Sequence, residues 1–331
     1  MKREKKTNLK SLLLVLLITL IMLVASSYAW FTANQTVTIN QLNVNVQTTT
    51  GLQISVDAAN WKSVITTTDL VDATVAAAYP THTNQIPTTM EPVSSAGLVT
   101  SGRLDIYYGV VDANETSGEF EITATKEVDT RGTAGRYIAF DIFLQVNTDT
   151  IVGLTTSSSV VAVAASKGLE NAARVAFLTQ GHEEIGSAPS AAQALNAGTT
   201  SDLFLWEPNS DVHTSAGVQN AASVYGITGL GLANEDPLEY VGIRAPFTTG
   251  IPITATAAAT SYFATVTPTL STPKTMTVDE EFATLEEGIT KIRVYMWVEG
   301  EDVDCENNAS GTDIGYNIQF TILGYPDPVG P

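Results

Sequence analysis

The 331-residue chain has one cysteine, three histidines, and 16 lysines and arginines against 35 aspartates and glutamates. A single thiol, Cys305, closes no internal disulfide, so the fold rests on its apolar core, and the thiol is either buried or paired between chains. The net charge of −19 argues against a nucleic-acid face, which needs clustered lysine and arginine, and against binding to a bare anionic lipid surface. Charged residues are only 15% of the chain, too few for a disordered acidic tail. There is no Gly-x-Ser-x-Gly and no Walker A sequence, and Gly226, Gly229 and Gly231 do not have dinucleotide-binding spacing. His182-Glu183-Glu184 opens like a zinc-protease helix, but that chemistry needs a second imidazole at i+4, where Gly186 stands. His82 and His213 lie far from it in sequence. No catalytic set assembles, and a non-enzymatic protein is expected. No period of 20–50 residues recurs, which excludes solenoids and propellers.

Long apolar runs are also scarce, with one exception. Lys2, Arg3, Lys5, Lys6 and Lys10 precede an uncharged run from Leu12 to Ala25, followed by Ser26-Ser27-Tyr28-Ala29-Trp30. A basic start, a short apolar centre and small residues at the exit are the parts of a secretory signal peptide. Residues 1–29 are expected to be cut by signal peptidase between Ala29 and Trp30. Left uncut, Leu12–Phe31 is roughly the ~20 residues that a membrane anchor needs. Either way the remainder lies outside the cytoplasm. Cleavage takes away five basic residues and Glu4, leaving −23.

Beyond the leader, side chains alternate with a period of two. Val37 and Ile39 point one way; Leu42, Val44 and Val46 resume one residue out of phase, which predicts a bulge at Asn40-Gln41. Leu52, Ile54 and Val56 follow. Residues 66–102 read as a long excursion, with Pro80, Pro87 and Pro92 denying it a central strand and a helical turn around Asp69–Ala78. Leu104 to Val110, Phe120 to Ala124, Ile138 to Val146, Ile292 to Val298 and Tyr316 to Ile322 are the clearest strands. Asp141 and Gln145 fall opposite the apolar face of theirs, which is expected to be wet. Residues 150–250 change character, with helical turns at Leu169–Ala173 and Pro189–Asn196 and a strand at Leu203–Trp206. This pattern predicts an all-β protein, an antiparallel two-sheet sandwich of jelly-roll kind. The domain covers 30–325, with a loop-rich, partly helical insertion at about 150–250, and a Pro-rich tail at 326–331.

The chemistry-bearing residues gather after Val298. Asp302, Asp304, Glu306 and Asn308 alternate, and Asp313 stands twelfth in the loop; hard oxygen ligands at alternate positions suit calcium. Asn307 occupies the place of the EF-hand glycine, however, and strands flank the loop, so a solvated acidic hairpin is the competing expectation. Asn308-Ala309-Ser310 has the form of a glycosylation acceptor. Trp61, Trp206 and Tyr240 would be the contact platform of a glycan-binding adhesin, or else ordinary core.

The junction Ser27-Tyr28-Ala29-Trp30-Phe31-Thr32, followed by alternating strands, resembles the exported TasA/camelysin family of Gram-positive bacteria over the first 50 or so residues. The resemblance implies a secreted or cell-surface β-sandwich. It also implies, for the biofilm-matrix members, head-to-tail fibres in which the N-terminal strand completes the sheet of the next subunit. The camelysin branch is described as a metalloprotease, but no zinc motif stands here to carry that over. On physical grounds, a segment with Val37, Ile39, Leu42, Val44 and Val46 on alternating faces can add to a sheet edge of another copy. Contacts of that kind do not close and so propagate. The other expectation for the segment is the first strand of its own sandwich.

Overall fold

The computed structural model describes residues 36–47, 51–71, 73–163, 166–196, 202–223, 228–231, 233, 240–305, 311 and 313–326. The leader with its Ala29/Trp30 junction, Glu306, Asn308, the Asn308-Ala309-Ser310 acceptor and nearly all of the tail lie outside them.

The strand pattern folds into a sandwich of two sheets. In the first, β18 (Glu280–Leu285), β10 (Thr150–Leu154), β20 (Asp313–Gly324), β1 (Val37–Val46) and β3 (Val64–Thr66) lie in that order. β11 (Ser159–Ala162) also pairs with β20, and β4 (Thr89–Met90) with β1. The second runs β17 (Leu270–Ser271), β13 (Leu203–Glu207), β12 (Ala173–Glu183), β19 (Gly288–Val298), β9 (Ile138–Val146) and β2 (Gln53–Ser55). Both are antiparallel except where β1 lies parallel to β20 and β13 to β17. Three small sheets complete the fold: β7 (Tyr107–Ala113) with β8 (Phe120–Lys126) and β15 (Phe247–Pro252), β14 (Tyr240–Ile243) with β16 (Phe263–Val266), and β5 (Val99–Thr100) with β6 (Arg103–Leu104).

The alternation of the sequence builds the core. Val44, Ile318, Phe320 and Val152 from the first sheet meet Phe140, Ile142, Phe177, Ile292 and Val294 from the second. Phe177 sits edge-on to Phe282 and Phe320, with ring centres 5.0 and 5.7 Å away. The bulge expected at Asn40-Gln41 is present as a register shift between Ile39 and Gln41.

Four expectations need correction. First, the face of β9 that carries Asp141 is dry: Asp141 is 1% exposed. The excursion is the cause, since residues 79–106 and 137, with β14 and β16, lie over the outer face of the second sheet. They form a second apolar cluster with Val93, Ile106, Tyr137, Tyr240, Tyr295 and Trp297. Every residue of β19 is therefore buried, and Lys291, Arg293, Tyr295 and Trp297 alternate beneath that cover. Second, residues 150–250 are woven into both sheets through β10, β11, β12 and β13. Third, Leu104 to Val110 is not one alternating strand. The chain breaks at Asp105-Ile106, so Tyr107 and Val111 turn inward and Val110 is exposed. Fourth, β19 and β20 belong to different sheets, so the segment joining them crosses between sheets and is no hairpin.

Helices are short. Among them are α1 (Thr67–Val71), whose preceding Thr66 N–H is capped by the Asp69 carboxylate at 2.9 Å, and α2 (Ala73–Ala78). α3 (Pro189–Ala194) starts with proline in its first turn, and α4 (Ser215–Ser223) follows it in the chain. Among the described residues no helix is long and apolar enough to cross a membrane.

Candidate functional site

Two places merit weight: the seat of β1, and the buried acidic crossing after β19.

β1 is amphipathic by register. Val37, Leu42, Val44 and Val46 are at most 5% exposed, and Ile39 packs against the same core. Gln41, Asn43 and Asn45 face the other way. The strand runs beside β20 from Thr38↔Asp313 to Val46↔Phe320. Its opposite edge meets β3 only at Asn43–Asn45 and β4 only at Val37–Thr38. Asn45 Nδ2 donates to Asn317 Oδ1 at 3.0 Å across the seam on the outer face. Burying four such side chains is worth roughly 6–12 kcal/mol as an upper figure, comparable with the whole stability of an ordinary domain. The seat is therefore filled whenever the fold exists, by this strand or by an equivalent one.

The crossing from β19 begins with Glu299 at the buried end of the Lys291–Trp297 row. Its carboxylate accepts from Trp297 Nε1 at 3.0 Å, the Ser95 N–H at 3.3 Å and the Glu301 N–H at 3.2 Å. Arg174, 1% exposed at its side chain, reaches Glu207 at 2.7 Å and Asp302 at 2.6 Å. The Tyr240 ring stands 5.1 Å from its guanidinium. Asp304 accepts from the Thr214 N–H at 2.7 Å and meets His213 Nδ1 at 2.9 Å.

Four carboxylates, Glu207, Glu299, Asp302 and Asp304, thus surround one arginine and one histidine, with Glu301 beside Glu299, and the proton affinities respond. Burial pushes Glu299 up to about 7. Burial, together with the charge of Glu299, pushes Glu301 up to about 8. Glu207 is raised by burial despite Arg174. His213 is raised because the hydrogen bond and charge of Asp304 outweigh the burial that acts against it. The Cys305 thiol is pushed well above its ordinary value by burial and by Asp302, Glu299, Glu301 and Asp304, which keeps it protonated and a poor nucleophile.

The residues expected to hold calcium fall as follows. Asp302 and Asp304 come together, the Asp304 N–H donating to Asp302 at 2.8 Å. Their four carboxylate oxygens are occupied by Arg174, His213 and two backbone N–H groups. Asp313 starts β20 and pairs in register with Thr38. Among the described residues no group of three or more His, Cys, Asp or Glu side chains is arranged to hold a metal ion. Of the aromatic platform, Trp206 is 0% exposed and donates from Nε1 to Thr272 Oγ1 at 2.9 Å, and Tyr240 is 5% exposed; only Trp61 is half-buried. Nothing in the local sequence marks Arg174, Glu207 and His213 as partners of this loop. The signal available was a basic residue opening a strand otherwise apolar to Leu178.

No family model, no curated protein and no solved structure matches the chain.

Proposed function

We propose that this chain is a structural subunit of an exported cell-surface or matrix assembly, joined to its neighbours by exchange of β1 and related to the TasA/camelysin proteins. The observation that carries the reading is the seat of β1. A strand with four core side chains lies parallel to β20, and among the described residues it is the first element. Leaving one seat for the same seat in another copy keeps every buried contact and every main-chain hydrogen bond, so the exchange has little enthalpic cost. The leader read from the sequence supplies export, and a net charge of −19 suits a protein kept soluble outside the cell.

The test uses chains starting at Trp30 that carry Cys305→Ala. One bears Asn43→Cys and the other Asn317→Cys, positions that face each other as Cα partners. Mixed and oxidised, the two should give disulfide-linked pairs, growing into ladders when both cysteines sit on one chain, and long fibres in negative stain. A double variant that closes only an internal disulfide, with mixtures giving no linked pair, would sink the reading.

A further inference from the structure

We infer that the cleft beside β18 takes an extended, basic peptide segment of a partner protein, which adds to the first sheet as a further strand. The two sheets do not end together on this side. The first stops at β18, whose only described strand partner is β10. The second continues past β12 to β13, with β17 pairing only at Trp206 and Glu207. Among the described residues no strand covers the inner face of β13 near Phe204, and a cleft of about 410 Å³ opens there. Phe204 and Phe282 form its apolar wall, edge-on at 5.2 Å, with Phe204 still part-exposed. His182, Asp202, Thr284 and Glu286 form the polar rim.

An outermost strand presents every second N–H and C=O to an incoming segment. Charged side chains usually blunt such edges. Here Glu280 and Glu281 guard one end, while Phe282–Leu285 carry no charge. A strand laid along this edge would point alternate side chains at Phe204 and Phe282, which is how strand addition gains specificity.

Charge selects the occupant. Among the described residues no lysine or arginine lines the cleft, Asp202 and Glu286 stand exposed on its rim, and Glu280, Glu281 and Glu287 flank it. A second copy of this chain would bring the same carboxylates to the same edge, so self-pairing is opposed by like charge. A segment with apolar residues on one face and lysine or arginine on the other fits both the wall and the rim. The exchange of β1 does not enter this inference: β1 sits inside the sheet and β18 at its edge.

The probe is the peptide Lys-Val-Lys-Val-Lys-Val, capped at both ends, with Glu-Val-Glu-Val-Glu-Val as its counterpart, titrated by calorimetry against the folded chain starting at Trp30. The basic peptide should bind and should protect alternate amides within residues 280–285 from hydrogen exchange. Asp202→Asn with Glu286→Gln, both on exposed side chains and without effect on the melting temperature, should weaken binding by about tenfold, and added salt should do the same. Three results each overturn the inference: no binding at millimolar peptide, equal binding of the acidic peptide, or protection elsewhere with β18 unchanged.

Discussion

Arg293 and Asp141 stand opposite each other as Cα partners on β19 and β9, and guanidinium meets carboxylate at 2.8 Å with neither side chain more than 1% exposed. Asp141 also accepts from Tyr79 Oη at 2.8 Å and lies 3.6 Å from Lys291 Nζ. Burial would raise its carboxyl, but Arg293 and Lys291 hold it down at about 2. Its contribution is therefore present above the ordinary value of 3.8 and lost only as pH falls through about 2. Asp141→Asn leaves two buried cations under-compensated and should cost about 3–5 kcal/mol in urea unfolding. Asp141→Leu combined with Arg293→Met should not recover that loss, because Lys291 stays buried without its carboxylate and Asp129, 2.6 Å from Arg293, loses its nearest guanidinium. An unchanged urea midpoint in Asp141→Asn would show that the pair is not what stabilises this face.

The acidic crossing sets the opposite limit. Glu299 and Glu301 bind their protons more tightly folded than unfolded, from an ordinary value of 4.5 to about 7 and about 8. Stability from these groups is fully present below pH 4.5 and lost as pH rises through about 7 and 8. His213, also raised, runs the same way. For Glu299 alone the loss is on the order of 3 kcal/mol. Urea midpoints should fall from about pH 5 to about pH 8.5, and Glu301→Gln should make that slope shallower. A midpoint that rises over the same interval would contradict the burial of these carboxylates.

Trp206 fills the core beneath β12 and β17, and its indole N–H is satisfied by Thr272. Trp206→Ala should therefore cost about 3–5 kcal/mol, visible as a lowered melting temperature. Trp206→Phe, which keeps much of the volume, should cost less. Unchanged stability in the alanine variant would place the indole on the surface.

The strands themselves were legible because one face of each meets the shared core. Ile138, Phe140, Ile142 and Leu144 recur every second residue, and so do Ile292, Val294 and Met296; the bulge near Gln41 announced itself as a phase slip. What lay on the second face was not legible. Asp141, Lys291 and Arg293 look like solvated charges when seen alone, and they are buried because distant stretches, Tyr79 to Tyr137 and, at Lys291, residues 193–195 at the end of α3, fold over them. Periodicity reports whether a face is apolar. It does not report whether a polar face has been roofed and its charges paired with one another. The same blindness hid the acidic crossing: Glu299, Asp302 and Asp304 have the composition of a loop in water, and their cationic partners, Arg174 and His213, come from residues more than 85 positions away. The neighbourhood of β1 and β20 was equally beyond local reading, since parallel pairing of the first and last strands leaves no turn between them to recognise.

That parallel seam has a mechanical meaning. The start of β1 and the finish of β20 lie at opposite ends of the seam, so tension applied between them slides the two strands past each other. The register pairs from Thr38↔Asp313 to Val46↔Phe320 then share the load together, and none of them yields first as the teeth of a zip would.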